Sequence, residues 1–170
     1  EWKWDGIRVQ AVAGEDGHGQ LATRLYSRAG EDISRGFPDL IEALRLPAAI
    51  AGELLIERDG RIQSFNVLQQ RLNRKAVTPK LIAEFPAHLR AYDLLADGGH
   101  DLRGHPFIER RKRLEHLVAR LGDPRVDLSP LVPFASWPEL IAARTDPGAA
   151  GAGDDAPAVV GVMLKRRDSL

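Results

Sequence analysis

Near the start of the chain, in "EWKWDGIR", Lys3 stands between Trp2 and Trp4 and is followed by Asp5-Gly6 and Arg8. These residue types can make a reactive amine. Aromatic walls take water away from an ammonium, disfavour its charged form and leave a nucleophilic nitrogen. A glycine lets the backbone turn tightly and lets a ligand come close. An arginine fork suits phosphate or ribose oxygens. Taken alone, K-x-D-G reads as a surface strand with a solvated lysine and an ordinary Asp-Gly turn, because four-residue patterns recur by chance.

Other chemistries are thinly represented. The sequence has no cysteine, which excludes a disulfide scaffold and a thiolate zinc site. Its histidines (His18, His88, His100, His105, His116) show no pair at metal-ligand spacing, which argues against a zinc hydrolase. No G-x-S-x-G elbow, Walker loop or G-x-G-x-x-G precedes a helix. "GAAGAG" (148–153) reads as a loose linker. Lys+Arg and Asp+Glu both total 24, so only local clusters can argue for nucleic acid. Two clusters qualify. Arg71, Arg74 and Lys75 read equally as DNA contacts and as a solvated face. In "ERRKRLEH" (109–116), Arg110, Arg111 and Lys112 fall on the polar side of an amphipathic helix, where solvated charges are normal.

The elements that must position these residues follow from periodicity. "WKWDGIRVQAVA" (2–13) predicts a strand interrupted at Asp5-Gly6, with a turn in "GEDGHG" and a returning strand over 20–28. "PDLIEALRL" predicts a short helix begun by Pro38, and "AAIAGELLIER" a strand joined to "DGRIQSF" by an Asp-Gly turn. "FNVLQQRLNRK" and "PKLIAEF" have helical spacing, and 88–96 reads as a strand. The clearest helix spans 106–122, with Pro106 at its start, a stripe of Phe107, Leu114, Leu117, Val118 and Leu121, and Gly122 at its end. A short strand then precedes a helix from about Pro138. The Gly/Ala/Asp-rich stretch 145–158 is expected to be a flexible surface loop, and "VVGVMLKRR" a final strand. Interspersed helices and hairpin-linked strands predict α+β architecture with mostly antiparallel sheets flanked by helices. No apolar run reaches bilayer length and no signal peptide is visible, so a cytoplasmic location is expected.

Five segments together resemble the motifs of the ATP-dependent DNA ligases, members of the covalent nucleotidyltransferase superfamily with RNA ligases and capping enzymes. "EWKWDGIR" resembles motif I, "YSRAGEDIS" (26–34) motif Ia, "AGELL" (51–55) motif III, "LRAYDLL" (89–95) motif IIIa and "VGVMLKRRDS" (160–169) motif IV. Each is weak alone, yet all five occur in the family's order from the first residue almost to the last. "SFNVLQQRLNRK" looks typical of bacterial members, and the nearest likeness is to the bacterial repair type.

The resemblance implies a nucleotidyltransferase (ATP-grasp-like) domain over residues 1–170, cut at both ends, without motif V or the OB-fold domain. It implies that Lys3 attacks the α-phosphate of ATP and holds AMP, which then passes to the 5′-phosphate of a DNA nick before the 3′-hydroxyl seals it. It places Glu1, Arg8, Arg28, Glu53, Tyr92, Met163 and Lys165 at the nucleotide. Glu1 would lie beside the adenine amino group, Tyr92 and Met163 on the two faces of the base, and Glu53 at the ribose and the metal. Arg28 would also meet DNA phosphate; Arg71 and Arg74 remain candidate DNA contacts on their charge alone. ATP and Mg²⁺ are the implied cofactors, nicked duplex DNA the partner, and a monomer within a longer chain the implied state. The sequence departs from the pattern at Ala51 and Val160, where motifs III and IV normally carry acids. An RNA ligase or capping enzyme, and a DNA-binding ligase fragment without catalysis, are the alternatives.

Overall fold

The computed structural model describes residues 1–72, 74 and 76–170; Lys75, considered above for DNA contact, lies outside them. The chain opens with β1 (Trp2–Trp4), bends at Asp5-Gly6, and continues as β2 (Ile7–Glu15), which turns back into β3 (Leu21–Ser27). After α1 (Pro38–Ala43) come β4 (Ala48–Arg58) and the short β5 (Arg61–Ile62). Two short helices follow, α2 (Phe65–Gln69) and α3 (Pro79–Glu84), then β6 (Ala87–Asp97) and β7 (His100–Asp101). The long helix α4 (Phe107–Leu121), β8 (Val126–Leu128), α5 (Trp137–Thr145) and β9 (Val159–Val162) complete the order.

The main sheet runs β3-β2-β4-β6-β7, with β5 added to β4 and β8 to β6, while β1 and β9 pair in a second, two-stranded sheet. All pairings are antiparallel except β6–β8. The predicted α+β fold with mostly antiparallel sheets is therefore observed, and the parallel exception follows from α4, which supplies a crossover between β6 and β8.

Strand alternation separates two cores. On one face of the main sheet, Val9 and Ala11 of β2, Ile50, Leu54 and Ile56 of β4, and Leu89 and Ala91 of β6 pack against Leu40 of α1 and Leu114, Leu117 and Leu121 of α4. Side chains one residue away point to the opposite face. There Leu55 joins Trp2, Trp4, Ile62, Val132, Leu140, Ala143 and Ala158 in a second core beneath the β1–β9 sheet. Each large aliphatic side chain so buried contributes about 1.5–3 kcal/mol relative to exposure.

Four expectations need correction. The stretch 145–158 is not a free loop: it winds into irregular helical turns, buries Ala158, and pins itself through Asp155, whose Oδ1 accepts from the Ile62 amide at 2.9 Å. The helix from Phe65 ends at Gln69, because Arg71 turns inward instead of continuing a solvated face. The short strand expected from Leu128 onward, ahead of the helix from Pro138, instead spans Val126–Leu128 and ends there. Arg110 and Arg111 are buried, not solvated. They occupy the same stripe of α4 as Phe107 and Leu114, where three- and four-residue spacing turns side chains inward.

Among the described residues, no helix is long and apolar enough to cross a membrane.

Candidate active site

Trp2 and Trp4 explain the placement of Lys3. Both indoles are buried in the second core, so alternation along β1 turns the intervening Lys3 outward. The Trp4 ring is held twice. Its Nε1 donates to Ser129 Oγ at 3.2 Å, and the Arg90 guanidinium lies 4.2 Å from the ring centroid. Arg90 is in turn gripped by Asp127 at 2.7 Å and Asp155 at 3.2 Å. Asp5 closes the bend after β1 by donating its amide to Ala158 O at 2.8 Å. Lys3 thus sits on a strand whose other face is fixed; the two indoles lie on that buried face and do not wall in the exposed Lys3 side chain, contrary to the expectation from sequence.

Gly6 is required for a different reason from the one its sequence suggests. A Cβ there would lie 2.6 Å from Leu54 O and 2.8 Å from Glu53 Cγ. The glycine admits β4 and so brings the Glu53 strand against the Lys3 strand, while Gly6 itself also lines the cavity beside Lys3.

Lys3 opens onto a cavity of about 700 Å³, a volume ordinary for a small-molecule site. Its floor comes from one face of the main sheet: Arg8 of β2, Glu53 of β4 and Tyr92 of β6, with Arg8 and Glu53 directly paired in register. Arg28, just past β3, closes one side, and Glu1, Met163 and Lys165, flanking β1 and β9, close the other. Every residue expected at a nucleotide therefore lines one cavity, together with Asp93, Phe107 and Arg110.

Glu1 does not fray. Its backbone continues the β1–β9 ladder, accepting the Met163 amide at 2.8 Å. Its nearly buried carboxylate takes the Lys165 ammonium at 2.5 Å and Arg111 at 3.1 Å. Lys165 also lies 4.5 Å from the Tyr92 ring centroid and 4.9 Å from that of Phe107. On the adjoining wall, Arg110 grips Asp93 in bidentate fashion at 2.9 and 3.0 Å.

The electrostatics of the floor are set by burial. It pushes Glu53 up to about 7, against the pull of Arg8 and Lys3. It also pushes the Tyr92 phenol up to about 12, so the ring stays neutral at ordinary pH.

Not every expected residue belongs here. Arg71, expected at DNA, is fully buried. It pairs with both carboxylate oxygens of Asp39 and donates to Gly36 O at 3.1 Å and Phe85 O at 2.7 Å. A side chain with no exposed surface cannot reach a phosphate, and its role is to join α1 to the ends of α2 and α3. Arg74 remains exposed, with its Nε on Gln70 O at 2.6 Å. Val160 is exposed and outside the cavity lining, while Ala51 is buried in β4. Arg110, on the cavity wall, and Arg111, paired with the cavity's Glu1, are neighbours of the site that were not expected from the sequence. The signal was available: positions 110 and 111 fall between Phe107 and Leu114 on the inward stripe, and a charged residue there demands a buried partner.

The family model described as "ATP dependent DNA ligase domain" matches residues 1–133, and the chain belongs to that family. The match sets it with the DNA ligases, not with the RNA ligases and capping enzymes left open by the motifs. It is 40% identical over 124 residues to DNA ligase 1 of Korarchaeum cryptofilum, covering 69% of this chain and 22% of that protein. It is 31% identical to a DNA ligase of Halorubrum lacusprofundi, covering 99% of this chain and 29% of that one. The chain thus spans less than a third of the length of these relatives. Among solved structures it resembles the ligase domain of M. tuberculosis LigD, with a TM-score of 0.69 at 26% identity, covering 99% of this chain and 48% of that one. A mycobacterial DNA ligase D complexed with ATP and MES gives a TM-score of 0.68 at 27% identity, with the same coverage.

Proposed function

We propose that this chain is the adenylation unit of an ATP-dependent DNA ligase, with Lys3 as its nucleophile. The observation that carries the reading is the convergence on one cavity of Lys3, the cations Arg8, Arg28 and Lys165, the carboxylates Glu1 and Glu53, and the ring of Tyr92. The Lys3 amine attacks the α-phosphorus of ATP. A nitrogen–phosphorus bond forms, the bond from the α-phosphorus to the bridging oxygen breaks, pyrophosphate leaves with that electron pair, and the nitrogen passes its surplus proton to the solvent that the exposed Lys3 meets. Arg8 and Arg28 offset charge on the phosphates, and Tyr92 and Met163 enclose the base. Such transfers depend on positioning and charge neutralisation more than on covalent assistance. The AMP then moves to the 5′-phosphate of a nick, with Arg28 and Arg74 as the DNA contacts that their exposure allows.

Among the described residues, no cluster of three or more His, Asp or Glu side chains could hold a metal by itself. The cavity nevertheless fits Mg²⁺, an ion that binds through one or two carboxylates plus substrate phosphates. Glu53 would be its protein ligand, and the ion when bound supplies charge neutralisation at the triphosphate. Val160 favours a second reading, nucleotide binding with little sealing. Losing a transition-state charge partner costs on the order of 2.7–4 kcal/mol.

A nicked duplex carrying a labelled 5′-phosphate tests the proposal. With ATP and Mg²⁺, the label should shift first to AMP–DNA and then to sealed strand, and chelation of Mg²⁺ should stop both steps. Sealing that proceeds without ATP contradicts the proposal. Protein that binds ATP yet gives neither product supports the second reading.

A further inference from the structure

We infer that Arg111 is a positioning residue that holds the Glu1 carboxylate at the base end of the cavity and thereby sets selectivity for the nucleotide's 6-amino group. The inference rests on the reading of the cavity as a nucleotide site. Arg111 does not line the cavity itself. It projects inward from α4, is 6% exposed, and spends its fork on three acceptors: Glu1 Oε1 at 3.1 Å, Ser129 O at 3.0 Å and Glu115 Oε1 at 3.0 Å. Ser129 is already fixed, since its amide donates to Ala91 O at 2.8 Å and its hydroxyl receives the Trp4 indole. Arg111 therefore ties Glu1 to the same anchor that orients the Lys3 strand.

Glu1 needs that tie. It shares the cavity-facing side of its strand with Lys3, two residues on, and its other oxygen meets Lys165 at 2.5 Å. Lys165 is more exposed and lies over the Tyr92 ring, where a stacked base would compete for it. Arg111 is buried and held by three acceptors, so of the two it is the tie that a stacked base would leave in place. A carboxylate only accepts hydrogen bonds, and each oxygen keeps a second lone-pair direction. Held beside a stacked base, it takes an exocyclic N–H and leaves a carbonyl at that position unpaired. Sites that hydrogen-bond a substrate group reject analogues lacking it much more strongly than apolar pockets discriminate size.

Calorimetric titration with ATP and with purine riboside triphosphate, which lacks the 6-amino group, tests the inference on wild type, Arg111→Met and Arg111→Lys. Wild type should bind ATP more tightly than the analogue. Arg111→Met should weaken ATP binding about tenfold, as loss of a charge-assisted hydrogen bond does, and change analogue binding less than about twofold. Arg111→Lys should recover part of the ATP affinity, because an ammonium can reach Glu1 but cannot also span Ser129 and Glu115. Equal losses for both nucleotides would assign Arg111 a general folding role and overturn the inference, as would unchanged ATP binding in Arg111→Met. Wild type that binds neither nucleotide overturns the cavity reading itself, and the inference with it.

Discussion

Glu53 shows how one residue can serve chemistry at the expense of stability. Burial lifts its carboxyl from an ordinary 4.5 to about 7. A group whose folded pKa is raised contributes stability that is fully present below its unfolded pKa and is lost as pH rises through the folded value. Glu53 therefore stabilises the nucleotide-free fold near pH 4.5 and ceases to do so between pH 4.5 and about 7. At full burial that shift corresponds to about 3 kcal/mol, and solvent screening of a partly open carboxylate reduces it to about 1–2 kcal/mol. Glu53→Gln should gain that amount over wild type in urea unfolding at pH 8 without Mg²⁺, with the gain vanishing at pH 4.5. Equal differences at both pH values would refute the assignment. The price of this arrangement is repaid only when phosphate and cation enter the cavity.

At the scale of elements, the site depends on how closely β1 and β4 approach, and Gly6 sets that distance. Gly6→Ala places a methyl within 2.6–2.8 Å of Leu54 O, Leu55 Cδ2 and Glu53 Cγ, so strand or side chain must shift. Overpacking of this kind costs about 1–3 kcal/mol. It should also displace Lys3 from the Glu53–Arg8 pair, lowering the rate of AMP capture by more than tenfold, since small misplacements are costly in positioned reactions. Capture at the wild-type rate by a destabilised but still folded Gly6→Ala variant would separate packing from catalysis and contradict this view. Most elements were legible in the sequence, since α4 announced itself through Pro106, its apolar stripe and Gly122, and β1, β2 and β6 through alternation. The stretch 145–158 was not, because its order comes from Asp155 reaching β5 and Arg90 in other parts of the chain. Composition records loop-forming tendency but not such long-range partners. The meaning of Gly6 was hidden likewise, since the strand it admits lies nearly fifty residues away.

The whole molecule is a sheet between two cores, with the cavity where the second core gives way to solvent. Its large buried ion pair, Arg71 with Asp39, is remote from that cavity and holds α1 and the chain after α2 against the start of β6, where Asp39 also accepts the Ala87 amide at 3.0 Å. Arg71→Ala leaves a buried carboxylate unpaired, at a cost of about 3–5 kcal/mol. For a chain of this size that corresponds to a fall of about 10 °C in Tm, with DNA binding by the protein that remains folded unchanged. Reduced DNA binding without a loss of Tm would restore Arg71 to a contact surface. The motif order made the cavity residues legible from sequence, because recognition of a family carries position as well as type. Burial of Arg71 was not, since an arginine's fate depends on whether an acid from elsewhere meets it; for Arg110 and Arg111 the inward stripe of α4 signalled burial, but not which acids would meet them. The most direct test of the central claim is intact mass and peptide mapping after incubation with Mg²⁺ and ATP, beside Lys3→Ala. A mass gain of one AMP that maps to Lys3 and is absent from the variant is the predicted result. An AMP adduct of equal yield in Lys3→Ala would contradict the account.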